Sequence, residues 1–216
     1  MGISKQGVVS FNGSPNPNLL PHTDTRTYGL GYMGVYSSGT REVDNTVLFN
    51  GKPTIKIKPS SSSTSSGANN TYNNSVVLTN GQQYCYSLWI LSTDADIWSH
   101  SSLGHFQTNN GTAAHNMTGN SAILTNIPAN TWTYVAQIFT PNKDNCKFIS
   151  YHIYFANTSQ TIWISDVKLE KGNTPTLWTP NENDDIYVGN SSFVENNDIC
   201  KIQKQGYIQS PNFIEI

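Results

Sequence analysis

Along most of the chain, apolar residues recur at every second position in short runs, and polar turn residues interrupt them. The spacing of three and four that marks an amphipathic helix is not sustained anywhere. Val47-Leu48-Phe49 and Thr54-Ile55-Lys56-Ile57-Lys58 flank Asn50-Gly51, and Asn-Gly between apolar runs is the strongest short hairpin signal. Val76-Val77-Leu78 and the run from Tyr84 to Leu91 flank Asn80-Gly81 and predict a second hairpin. The Tyr84–Leu91 run is apolar at both phases, which predicts a central strand covered on both faces. Thr131 to Phe139 predicts another strand. Phe148–Phe155 and Ile162–Leu169 predict a final hairpin around Asn157-Thr158-Ser159-Gln160. In its last strand Ile162, Ile164 and Val167 form the buried set, with Lys168 and Glu170 facing solvent. Residues 59–75, rich in Ser, Thr and Asn, predict a mobile surface loop, and residues 94–121 read as an insertion. Roughly eight to ten strands with turn signals between them predict an all-β sandwich.

Composition agrees with the pattern. Only 12% of the 216 residues are charged, against about 25% in ordinary soluble domains. Asn, Ser and Thr take the place of charges, as turn-rich β surfaces favour. The net charge is −2, and no cluster of Lys and Arg offers a groove for nucleic acid. No apolar run approaches the ~20 residues of a membrane-spanning helix, so no membrane insertion is expected. The N-terminal residues, MGISKQGVVSFNGSPNPN, lack the apolar centre of a secretory signal. Cys85, Cys146 and Cys200 are odd in number and share no CxxC spacing, which excludes a disulfide framework and a zinc ribbon. Cys85 reads as a small buried hydrophobe, and a Cys85–Cys146 bond stays open as the alternative. No Gly-x-Ser-x-Gly elbow, P-loop or HExxH is present. The acidic residues lie in turns and near the end (Glu182, Asp184, Asp185) rather than as an opposed pair suited to glycoside hydrolysis. The chain is therefore expected not to be an enzyme.

Both ends carry a short repeat. Ile3-Ser4-Lys5-Gln6-Gly7-Val8-Val9 matches Ile202-Gln203-Lys204-Gln205-Gly206-Tyr207-Ile208. A strand–Gly–strand unit this small cannot bury its own apolar face. It is expected to dock on the main domain, a sister chain or another protein, through Val8, Val9 and Phe11 at one end and Tyr207, Ile208 and Phe213 at the other. Chance similarity of two short hairpins is the alternative. These segments divide the chain into an N-terminal arm and linker (residues 1–17), a domain (18–180) and a C-terminal linker and docking strand (181–216).

The stretch SDVKLEKGNTPTLWTPNENDD, Ser165 to Asp185, closely resembles the last strand and exit peptide of a domain common in bacteriophage tail, baseplate and fibre proteins. In that family the strand ends Lys-Leu-Glu-x-Gly and an Ala/Pro-Thr-x-Trp-x-Pro peptide follows. The domain opening of that family, Asn-Leu-Leu, stands here as Asn18-Leu19-Leu20, and Thr131-Trp132 matches the opening of a late strand. The resemblance covers about residues 18 to 180. It implies a jelly-roll β-sandwich like those of carbohydrate-binding modules, on the exterior of a virion. It also implies contacts with other virion proteins, a homo-oligomer with a trimer favoured, and adhesion to a host-surface or mucus polysaccharide. Two other roles stay open: a purely architectural head fibre, decoration or spacer, and the binding module of a bacterial carbohydrate-active enzyme.

Sugars are held by stacking pyranose C–H faces on aromatic rings and fixing hydroxyls with amides, carboxylates or imidazoles. Two sets fit that chemistry: Trp98, His100, His105 and Gln107 in the insertion, and His152 and Tyr154 at alternate positions of one predicted strand. Core or subunit packing is the competing role, and the one expected of Trp89, Trp132 and Trp178. Histidines 100, 105 and 115 fit no common zinc spacing. No cofactor is expected beyond the structural calcium that the resemblance implies between first and last strands, for which Asp24 and Asp166 are the candidate oxygen ligands.

Overall fold

A computed structural model of the chain describes residues 5–6, 15–31, 33–36, 39–60, 67–70, 76–95, 105–107, 113–114, 117–118, 127–142, 144, 146–150, 153–155, 157–189 and 206–208. In chain order the strands are β1 (Lys5–Gln6), β2 (Met33–Tyr36), β3 (Thr40–Phe49), β4 (Lys52–Lys58), β5 (Gly67–Asn70), β6 (Val76–Leu78), β7 (Tyr84–Ser92) and β8 (His105–Gln107). They continue with β9 (Ala113–Ala114), β10 (Met117–Thr118), β11 (Thr131–Pro141), β12 (Cys146–Ser150), β13 (Ile153–Tyr154), β14 (Ile162–Lys171), β15 (Ile186–Gly189) and β16 (Gly206–Ile208). One helical turn, α1 (Thr25–Tyr28), is capped by the Asp24 carboxylate.

The principal sheet runs β1-β11-β7-β14-β4-β3, with β10 also paired to β11. Its neighbours are antiparallel except β1, which lies parallel to β11. A four-stranded sheet, β6-β12-β8-β9, and a three-stranded one, β13-β5-β2, accompany it, and β15 pairs with β16. The fold is a nearly all-β jelly-roll sandwich, as the alternating pattern predicts.

β7 explains the layering. Tyr84, Tyr86, Leu88 and Ile90 face the core, joined by Ile55 and Ile57 of β4, by Ile162, Ile164, Val167 and Leu169 of β14, and by Leu78 of β6. Burying one such aliphatic chain contributes about 1.5–3 kcal/mol. The alternate residues, Cys85, Ser87, Trp89 and Leu91, are buried too, beneath a second layer on the outer face. Cys85 is a free, buried thiol, so the alternative of a bond to Cys146 falls away.

The apolar phase of β14 slips between Ile164 and Val167, and a bulge is the reason. The register with β7 shifts between Ser165 and Lys168, and Asp166 takes φ 52° there. Asp tolerates that left-handed conformation better than most residues. The extra residue keeps Ile162, Ile164, Val167 and Leu169 on one side while Trp163, Ser165, Lys168 and Glu170 share the other.

Three local expectations are corrected. Asn50-Gly51 closes the β3–β4 hairpin as predicted, both residues at positive φ. The Asn80-Gly81 turn does not close a hairpin: β6 pairs with β12, and β7 with β11 and β14. Nor do Phe148–Phe155 and Ile162–Leu169 pair; β12 joins β6 and β8, β13 joins β5, and β14 joins β7 and β4. In both places the chain crosses between sheets, and the turn signal says only that it reverses. Within the Ser/Thr/Asn stretch, β5 forms a paired strand between β2 and β13; residues 61–66 and 71–75 lie outside the described residues.

The start of the domain is stitched to β14 by one side chain. Leu19 N–H donates to Leu169 O. The fully buried Asn18 amide donates to Val167 O at 3.0 Å and accepts from Leu169 N–H at 3.1 Å, so it imitates a peptide group of a neighbouring strand. It also accepts from Leu20 N–H and donates to Thr23 Oγ1. The terminal segments pair where they are described: Lys5 and Gln6 lie opposite Thr131 and Trp132, and Tyr207 and Ile208 opposite Tyr187 and Ile186. Val8, Val9, Phe11 and Phe213 lie outside the described residues.

Candidate functional site

The outer face of the principal sheet concentrates the informative chemistry. Its floor is aromatic: Phe49, Trp89, Leu91 and Trp132 are buried, and Val47, Tyr134 and Trp163 pack against them with part of their surface open. Phe49, at the tip of the β3–β4 hairpin, sits 4.9 Å from the Trp89 ring and 4.8 Å from Trp132, so the hairpin folds across this face. Tyr134 lies 5.3 Å from Trp89. Burial pushes the Tyr134 phenol up, opposed by a hydrogen bond with Ser87.

Trp163 stands at the polar border of that floor. In register it neighbours Leu91 on one side and Lys56 on the other. Its indole N–H donates to Asp44 Oδ2 at 2.9 Å. Lys56 Nζ lies 2.8 Å from Glu42 Oε1 and 3.9 Å from Asp44 Oδ2. Asp44 Oδ1 accepts from Thr46 N–H, Thr46 Oγ1 and Val47 N–H, which holds the irregular segment where β3 departs from β4. Burial alone would raise the Asp44 carboxyl. The hydrogen bonds from Thr46, Trp163 and Val47 outweigh it and leave the group well below the usual carboxylate range. The result is a part-open indole ring beside fixed carboxylates and an ammonium.

The rest of the outer face is sealed by the exit peptide. Lys168 and Glu170, expected at solvent, are instead fully buried (1% and 0% exposed). Lys168 Nζ donates to Thr176 Oγ1 at 2.7 Å and Leu177 O at 2.6 Å, and lies 3.3 Å from Glu170 Oε2. Glu170 accepts the Thr176 N–H and hydroxyl. The sequence pattern could not show this, because the residues that cover the pair follow a turn and fold back. Burial lowers the Lys168 ammonium pKa, and Glu170 opposes that shift. Leu177 is half exposed, while Thr176 and Trp178 turn in. Contacts with the opening segment continue to Asp184, whose carboxylate accepts from His22 N–H, and to Asp185, whose N–H donates to the Tyr28 hydroxyl.

The residues singled out from sequence are scattered. His105 and Gln107 flank Phe106 in β8, which pairs with β12 in the four-stranded sheet. Tyr154 is in β13, opposite Gly67 in the three-stranded sheet. Trp98, His100 and His152 lie outside the described residues. Asp24 and Asp166, the candidate calcium ligands, each face a cation of the chain itself. Arg26 binds Asp24, and Lys52 binds Asp166. Among the described residues no group of three or more His, Cys, Asp or Glu is placed to hold a metal ion. Sequence reasoning missed Trp163, Asp44, Lys56 and Glu42. The one available signal was Trp163 itself, an aromatic at the polar phase of an alternating strand.

No family model matches the chain, and no curated protein matches it. Among solved structures it is similar to the CBM22-1 xylan-binding domain of Paenibacillus barcinonensis Xyn10C (9% identity over 74% of this chain and 97% of that one, TM-score 0.48). It is also similar to the C-terminal family 22 carbohydrate-binding module of Clostridium thermocellum Xyn10B (11% identity, 76% and 98%, TM-score 0.48). A third is the enzymatically active domain of tailspike protein 4 of bacteriophage CBA120 (13% identity, 72% of this chain and 21% of that one, TM-score 0.47). These are similarities of architecture.

Proposed function

We propose that this chain is a non-catalytic component of a bacteriophage virion, on a fibre, baseplate or capsid surface, whose sandwich holds a host-surface or mucus polysaccharide. The observation that carries the proposal is the Trp163 border: a part-open indole fixed by Asp44 and flanked by Lys56 and Glu42. A pyranose stacks its C–H face on such a ring, and the charged groups beside it serve the hydroxyls. Support for the virion comes from the exit peptide. The Lys168–Glu170 clamp on Thr176 gives a physical reason for the two halves of the phage-like motif to occur together. The oligomer is a trimer in this proposal.

One observation favours the architectural role instead. Phe49, Trp89 and Trp132 are spent on packing rather than left open to a ligand. As the module of a carbohydrate-active enzyme, the chain would use the same glycan border on a different carrier.

The test is light scattering of the purified chain followed by a glycan array at the oligomeric state found. The expected outcome is a mass three times the 23.8 kDa of one chain and saturable binding of a polysaccharide. Trp163→Ala should weaken that binding by roughly 2- to 12-fold, the scale of one stacked ring. An oligomer with no glycan signal refutes adhesion and leaves the architectural role. Binding lost on Trp98→Ala but kept on Trp163→Ala moves the site to the insertion.

A further inference from the structure

Lys52 and Asp166 meet in a setting suited to more than an ion pair. Lys52 opens β4 directly after the Asn50-Gly51 turn, and Asp166 is the positive-φ residue of the β14 bulge. Their side chains are only 10% and 12% exposed, and Lys52 Nζ donates to Asp166 Oδ1. The Trp178 ring covers the nitrogen, with its centroid 3.9 Å away. Trp178 is itself anchored by its indole N–H on Thr23 Oγ1. A second carboxylate, Asp24, is buried near enough to act electrostatically on Asp166, and Arg26 fixes it through its backbone N–H, Nε and Nη2. Burial raises the Asp166 carboxyl pKa, and Lys52 opposes that shift.

We propose that Lys52 and Asp166 condense into an intramolecular isopeptide bond. In the condensation one Nζ proton passes to the Asp166 carboxylate, with which Nζ is already in contact. The free amine lone pair attacks Asp166 Cγ and the Nζ–Cγ bond forms. The Cγ–O bond of the acid hydroxyl breaks, and that oxygen leaves as water with the second nitrogen proton. One ammonium and one carboxylate give one amide and one water, with no oxidant or outside reactant. Fixed proximity supplies the rate that two free groups in water lack. The product ties the hairpin tip to the last strand across 114 residues of chain, which restricts the unfolded state. The inference stands apart from glycan binding.

The decisive measurement is the intact mass of the denatured full chain, with peptide mapping after protease digestion. The expected result is a mass one water below the sequence mass and a cross-linked peptide joining Lys52 to Asp166. Lys52→Arg keeps a cation but no acylable amine, and Asp166→Ala removes the electrophile; both should show the full sequence mass. A wild-type chain at full sequence mass overturns the proposal. So does a water loss without the cross-linked peptide, since that marks an internal succinimide.

Discussion

Replacing Lys168 by Met tests the account of the exit peptide most directly. Met fills much the same volume and removes only the ammonium. That ammonium is buried and serves Thr176 Oγ1, Leu177 O and the Glu170 carboxylate. Without it, Leu177 O loses a donor and Glu170 becomes a buried anion with no cation beside it. Breaking a buried pair from one side costs about 3–5 kcal/mol. Glu170 still accepts the Thr176 N–H and hydroxyl at 2.8 and 2.5 Å, and Met no longer has an ammonium to desolvate. Both place the cost at the lower end, about 3 kcal/mol. For a domain of this size that is a fall of about 6–12 °C in Tm. Urea unfolding followed by tryptophan fluorescence measures it, with Glu170→Gln and the double variant completing a cycle. The coupling energy should be at least about 1 kcal/mol, because the two groups share Thr176. A loss for Lys168→Met below ~0.5 kcal/mol, the range of ordinary surface changes, would refute the clamp. So would additive single changes.

Asn18→Ala should destabilise the fold by about 3 kcal/mol in urea, since Val167 O and Leu169 N–H of β14 both lose the amide that bonds them; a loss below ~1 kcal/mol would mean that water replaces the amide. Asp44→Ala should cost about 2 kcal/mol near neutral pH through its bonds to Thr46, Val47 and Trp163. Its carboxyl titrates lower when folded than its ordinary 3.8, so the unfolded chain takes up the proton first on acidification. The stabilisation is therefore complete above that value and declines as pH falls below it. A wild-type-minus-variant difference unchanged from pH 7 to ~2.5 contradicts that linkage.

Much of the fold was legible. The double apolar phase of Tyr84–Leu91 does mark a strand buried on both sides, and Asn50-Gly51 does close a hairpin. The phase slip after Ile164 encodes the bulge, although no turn residue announces it. The candidate site was far less legible. His105, Gln107 and Tyr154 were chosen for their residue types, and the folded chain puts them in two different sheets. Trp163 was passed over as one more aromatic of a strand, because Asp44 is 119 residues away in the chain.

Alternation and turn chemistry are local, so the sequence by itself determined that the chain is all-β, where it reverses, and which strand is most deeply buried. Only the tertiary structure decided which sheet each strand enters, because the same turn can close a hairpin or carry the chain across the core. It also decided the fate of Lys168 and Glu170. A charged pair at the outward phase of a strand looks solvated until a segment beyond the next turn lies over it, and then each charge is held by the other and by the peptide it has captured.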